Sequence, residues 1–154
     1  GDERIVARVC DCSVDVDVRV QREALNTLCK VSCVGDKRAL LTARALTRDL
    51  VGSVRVAAVN VLSRLSSGED EFSIETLAAC LEDEDKRVRK AAMGALLHVA
   101  PKKDDRAVKL VCSRLWHSDA EIRKVAFQTL IDLAEPDCDI VIKDARSHLH
   151  HDNL

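Results

Sequence analysis

Aromatic side chains are nearly missing from this 154-residue sequence, which has no tyrosine, two phenylalanines and one tryptophan. Its 47% apolar share therefore rests on Ala, Val, Leu and Ile. Such small and medium side chains suit closely packed helices better than the core of a sandwich or barrel. Proline occurs twice and glycine five times, too little turn-forming material for an all-β chain. No apolar run approaches the length of a membrane span, and no signal-peptide pattern opens the chain. Neither charge is in excess: 24 Lys and Arg against 26 Asp and Glu leave −2. No global positive field therefore draws the chain to nucleic acid, which makes such a partner the weaker expectation. Cysteine is not scarce, but seven is an odd number and the spacings are irregular. Cys10, Cys12, Cys80 and Cys112 fall on apolar helix faces, which reads as buried thiols in a reducing, intracellular compartment rather than a disulfide framework.

What the chain has in abundance is repetition. Val20, Val54, Val88 and Ile122 stand 34 residues apart. Ala24, Ala58, Ala92 and Ala126 follow four residues later, Leu28, Leu62, Leu96 and Leu130 eight later, and Val31, Leu65, Val99 and Leu133 eleven later. Offsets of 0, 4, 8 and 11 trace one face of an α-helix. The small alanine lets a neighbouring backbone come close. Fourteen residues before each anchor stand Val6, Leu40, Ile74 and Val108, and eleven before stand Val9, Ala43, Leu77 and Val111, the apolar face of a preceding helix. Gly35, Gly68, Pro101 and Pro136 punctuate the pairs as helix stoppers. Asp17, Asp85 and Asp119, three residues before the anchor, sit where an N-cap belongs, while repeat two has Val51 there.

The pattern predicts an all-α chain with helices near 3–13, 19–33, 37–48, 54–66, 73–82, 86–100, 104–116, 120–134 and 138–150. A lone hairpin cannot bury both faces, so the pairs must stack. The expectation is a right-handed α-solenoid of four hairpins plus one C-terminal helix. Residues 1–154 read as a single repeat domain, cut from a larger protein, with repeats about 3–34, 36–67, 70–101 and 104–135 and a terminal helix about 137–150. Exposed apolar flanks at its ends would favour end-to-end self-association.

A 34-residue period also belongs to tetratricopeptide repeats, but that family's Trp, Leu-Gly and Tyr positions have no counterparts here. The residues Asp49…Val54-Arg55…Ala58…Leu62, Asp83…Val88-Arg89…Ala92…Leu96 and Ile122-Arg123…Ala126…Leu130 resemble HEAT repeats, particularly those related to phycobilisome lyases. Gln21 replaces the arginine in repeat one, and His117 replaces the turn acid in repeat four. The resemblance implies a polar ladder between neighbouring repeats: Arg55 meeting Asp83, Arg89 facing His117 and Gln21 facing Asp49. It also implies that the second helices line the concave surface.

No nucleophile with a positioned base and no carboxylate pair appears at helical spacing, so a non-enzyme without cofactor or metal is expected. Cys29 and Cys33 could share a helix face, and His148 and His151 are three apart, but neither pair has further ligands at metal-site spacing. Charge is uneven along the chain: eight acids and no base from Glu69 to Asp85, then eleven bases and four acids from Lys86 to Lys124. Lys86, Arg87, Arg89 and Lys90 crowd the start of one helix, where the helix dipole disfavours cations. Arg89 fits the ladder, and the other three suggest an acidic ligand.

By register the concave face carries three columns: Arg22, Val56, Lys90, Lys124; Asn26, Asn60, Gly94, Gln128; and Lys30, Arg64, His98, Asp132. Carboxamides can donate to and accept from a peptide backbone. Flanked by bases, they suit an extended acidic partner segment bound through Arg22, Asn26, Lys30, Asn60, Arg64, Lys90, His98, Lys124 and Gln128. A solvated polar surface would look similar. The alternative functions are nucleic-acid or phosphate binding through the basic stripe Lys86–Lys124, and an accessory subunit of a chromophore lyase.

Overall fold

Aspartate starts nearly every helix of this protein. In the computed structural model, which describes residues 2–101 and 104–133, eight α-helices and no strand occur among the described residues. They are α1 (Glu3–Cys12), α2 (Val18–Val31), α3 (Lys37–Leu46), α4 (Gly52–Leu65), α5 (Glu71–Ala79), α6 (Lys86–Val99), α7 (Asp105–Cys112) and α8 (Ala120–Leu133). Asp2, Asp17, Asp36, Asp70, Asp85 and Asp104 each cap a helix by accepting a backbone N–H, and Asp119 accepts from the Glu121 N–H at 2.8 Å. Each such cap contributes about 1 kcal/mol. Only α4 starts without one, at Val51.

The helices pair as α1–α2, α3–α4, α5–α6 and α7–α8, and the pairs stack into an α-solenoid. The 34-residue columns are its core. Ala58, Ala92 and Ala126 are completely buried, as are Leu28, Leu62 and Leu96. Where the first helices end, α5 and α7 tighten into 3₁₀ turns at Cys80–Glu82 and Ser113–Trp116. The expected spans 73–82 and 104–116 are thus α-helical only in their first part. Between pairs the chain reverses at stacked turns. Gly35 has φ 82°, which favours glycine, and its N–H donates to the Leu65 carbonyl at 2.7 Å. A Cβ on Gly68 would lie 3.0 Å from Pro101 Cγ in the next turn.

Two departures mark the amino-terminal flank. Val20 is 40% exposed although Val54 and Val88 in its column are buried completely. Ile5 is 50% exposed, whereas Ala39, Ser73 and Ala107 in its column have no exposure. Nothing packs on this side of repeat one among the described residues, so its apolar positions stay open. Cys10, Cys80 and Cys112 are buried as expected, but Cys12 is exposed. Two residues after the buried Cys10 on the same helix, it falls on the opposite face. The expected terminal helix, about 137–150, and Pro136, Cys138, His148, His150 and His151 lie outside the described residues.

The ladder has one rung. Arg55, 6% exposed, makes a forked bond to Asp83 through Nε and Nη2, both at 2.8 Å. This bond is the chief reason the Arg55 guanidinium is held charged even above its ordinary range. Arg89 does not repeat it. His117 offers no carboxylate there, its Nδ1 accepts the Asp119 N–H, and Arg89 Nε stays buried without a partner. No bond joins Gln21 to Asp49 either, since a carboxamide lacks the forked reach of a guanidinium. What the three arginines share is a bond within their own repeat: Arg55 to the carbonyls of Asp49 and Leu50, Arg89 to Asp83 and Glu84, Arg123 to His117 and Ser118.

Candidate partner-binding groove

Burial of offsets 0, 4, 8 and 11 on each second helix turns offsets 2, 6 and 10 away from the core. Accordingly Arg22, Asn26 and Lys30 on α2, Asn60 and Arg64 on α4, Lys90, Gly94 and His98 on α6, and Lys124, Gln128 and Asp132 on α8 are exposed. Only Val56 is half-buried, packed on the core. The nine residues expected from sequence therefore share one face of one helix layer. Second helices also pack against each other more extensively along the stack than first helices do. The resemblance to HEAT repeats implies that this layer is the concave one.

The electrostatics of the two layers differ. Between first-helix elements of successive repeats, Arg44 pairs with Asp70 at 2.5 Å, Arg106 with Glu71 at 2.5 Å and Arg114 with Glu82 at 2.9 Å. At the caps, Arg19 pairs with Asp17 at 3.0 Å and Arg87 with Asp85 at 2.6 Å. The Arg87 side chain, with its backbone N–H, pulls the Asp85 carboxyl down to about 2. In the groove, by contrast, Arg22, Lys30, Arg64, Lys90 and Lys124 enter no ion pair or side-chain hydrogen bond among the described residues. Asp132 is the single acid in the three columns, and it accepts from Gln128 Nε2 at 3.4 Å. Burial raises the pKa of the Cys29 thiol, and the Arg64 charge opposes that rise.

The five arginines of the basic stripe are engaged inside the molecule. Arg87, Arg106 and Arg114 are in ion pairs, and Arg89 and Arg123 hold turn carbonyls. This corrects the reading of Arg87 as a cation without a partner at the start of α6: Asp85, its own cap, supplies the charge. Lys86 and Lys90 remain uncompensated there. Among the described residues no cluster of three or more His, Cys, Asp or Glu could hold a metal ion, and no helix is long and apolar enough to cross a membrane.

Glycine marks one position in the groove. A glycine inside a helix costs about 1 kcal/mol relative to alanine, so each needs a cause. Gly52, at the start of α4, has the Asp85 carboxylate pressed where its Cβ would be. Gly35 and Gly68 serve the turns. At Gly94, in the interior of α6, a Cβ would meet nothing within 4 Å. The chain itself gives no reason for it.

One surface escaped the sequence reading. Leu41 and Phe72, 62% and 68% exposed, stand on the first-helix side, with the Arg44 guanidinium 5.7 Å from the Phe72 ring centroid. A cleft of about 390 Å³ beside them is lined by Leu41, Arg44 and Asp70. Of its charged lining, Arg44 and Asp70 pair with each other, while Lys37 and Glu69 enter no ion pair among the described residues. The available signal was a broken column: Phe72 occupies the place of Arg4, Arg38 and Arg106 in the other repeats.

Comparison with known proteins bears on the fold. A family model of HEAT repeats matches residues 52–131, just over half of the chain. No curated protein matches the chain. Among solved structures, an engineered protein from a structural-genomics target series superposes with TM-score 0.62 at 22% identity, covering 92% of this chain and 68% of its own. A designed armadillo repeat protein gives 0.61 at 16% identity, with 91% and 70% covered. Another, in complex with the peptide (KR)4, gives 0.56 at 16% identity, with 96% and 82% covered.

Proposed function

This chain belongs to the HEAT-repeat family, and we propose that it is a non-catalytic scaffold whose second-helix groove takes an extended, acidic segment of a protein partner. The observation that carries this reading is that five bases share the groove face and enter no ion pair among the described residues, while Arg19, Arg44, Arg55, Arg87, Arg106 and Arg114 are paired elsewhere. Five cations on one concave face repel one another, and an acidic segment relieves that repulsion. The designed relative holds a basic peptide, which these five cations would oppose. Carboxamides one repeat apart would meet the peptide backbone. Layers of helices pack roughly 8–10 Å apart and an extended chain advances about 3.3 Å per residue, so each repeat would serve about three peptide residues. The phosphate-binding reading loses the stripe's five arginines, which are engaged, and keeps only its lysines.

The test compares two triple variants of equal charge change. Arg64, Lys90 and Lys124, each to Glu, removes groove bases; Lys37, Lys86 and Lys109, each to Glu, removes bases elsewhere. The probe is a fluorescent glutamate-rich peptide of about a dozen residues, spanning about four repeats at this spacing. The groove variant is expected to lose binding and the control to keep most of it. Equal losses would mean that net charge alone acts and would overturn the reading.

A second contact is proposed at the amino-terminal flank, where Ile5, Val9, Val20 and Val31 occupy columns that are buried in the later repeats. An end-to-end contact with another helical hairpin, including that of a second copy, would continue the same packing. Sedimentation should show self-association at high concentration that Ile5→Lys with Val20→Lys abolishes. A wild-type monomer at every concentration would contradict it.

A further inference from the structure

Gly94 is the one described glycine that neither a turn, a neighbouring atom nor a positive φ explains. It sits in the middle column of the groove, where repeats one, two and four place Asn26, Asn60 and Gln128. One turn to either side on the same face of α6 are exposed Lys90 and exposed His98. Three residues on is Leu97, half-buried and packed on the core, and Val125 on α8 has the same character. The missing side chain at 94 thus leaves open space in a polar track, between exposed Lys90 and exposed His98 on the same helix face. A helix accepts the cost of an interior glycine where something outside the chain must come close.

We propose that Gly94 is the seat for one large side chain of the bound segment, an aromatic ring, and so sets the groove's specificity. Resting on the groove reading, this adds a second element to the partner: acids along the segment and a single bulky ring among them. The ring would lie over the glycine, against Leu97, with its edge toward the His98 imidazole. Aromatic and imidazole rings pack favourably in offset or edge-on arrangements, and the Lys90 stem can cover apolar surface while its ammonium stays in water. The flanking acids of the segment would then meet Lys90, Lys124 and Arg64.

Two fluorescent glutamate-rich peptides, identical except for a central Phe or Ala, test the proposal by anisotropy on the intact chain. Wild type is expected to prefer the Phe peptide by about tenfold, the scale of half-burying one such ring. Gly94→Leu fills the seat and should remove the preference while changing affinity for the Ala peptide by no more than about twofold. Gly94→Ala serves as the folding control and should raise the melting temperature, since no atom opposes the added methyl. A preference that survives in Gly94→Leu would overturn the seat. So would equal binding of both peptides by wild type, which leaves the groove reading standing. Equal loss of both peptides in Gly94→Leu also contradicts the seat, because it would put peptide backbone at Gly94. If wild type binds neither peptide, the groove reading falls together with the seat.

Discussion

Arginine in the repeated Val-Arg phrase does two things, and the sequence displayed only one of them. That Arg55 would reach Asp83 is what the resemblance to HEAT repeats implied. That Arg55, Arg89 and Arg123 would hold the carbonyls of their own turns was illegible, because every residue carries the same carbonyl and no side-chain pattern marks it. The single true rung joins two nearly buried side chains. Removing its carboxylate with Asp83→Ala leaves the buried Arg55 only the exposed Glu84 carboxylate at 3.2 Å, and should lower stability by about 1.5–3 kcal/mol in urea unfolding. The reverse change, His117→Asp, would give the buried Arg89 Nε an acceptor and should raise stability by about 1 kcal/mol. An unchanged urea midpoint would show that Arg89 cannot reach position 117.

Asp85 gives a dependence on acidity. Its carboxyl is held at about 2, below the ordinary 3.8, first by the Arg87 side chain. A carboxyl lowered in the folded state binds protons less readily than in the unfolded chain. Its stabilising contribution is therefore full above about pH 4 and disappears as pH falls through about 2. Asp85→Asn should flatten that part of the stability curve, as read from thermal melts across this window. A curve parallel to wild type would place the acid sensitivity elsewhere.

At the scale of the element, eight helices were legible because apolar residues recur at helical spacing and aspartates stand where caps belong. Less legible were the ends of α5 and α7, where a 3₁₀ turn continues the same side-chain pattern with tighter backbone bonds. The start of α4 was also obscure, and its cause lies one repeat away: Val51 offers no cap, and Gly52 makes room for Asp85. The alanine columns carry the closest packing, with Ala58, Ala92 and Ala126 completely buried. Ala92→Leu should overpack the stack and lower stability by about 1–3 kcal/mol, with helix content retained. A denaturation midpoint equal to that of wild type would remove the alanine column from the core.

At the scale of the whole molecule, charge is sorted by layer. Ion pairs lie between first helices and at the turns, and the outward face of the second helices carries five bases that nothing in the described chain neutralises. That these nine residues share one exposed face was legible by register alone, since three offsets repeated every 34 residues fall on the same side of each second helix. What register could not reveal was which bases are already bonded, as Arg87 is, or that Leu41 and Phe72 expose apolar surface on the opposite layer. These depend on contacts between repeats rather than on position within one. The groove account can be read directly by mapping backbone amide chemical shifts of the intact chain during titration with the glutamate-rich peptide. Shifts should concentrate on α2, α4, α6 and α8 around Asn26, Asn60, Lys90 and Gln128, while the first helices stay unchanged. Shifts centred instead on Leu41 and Phe72, or on the turn at Lys86 and Arg87, would contradict it.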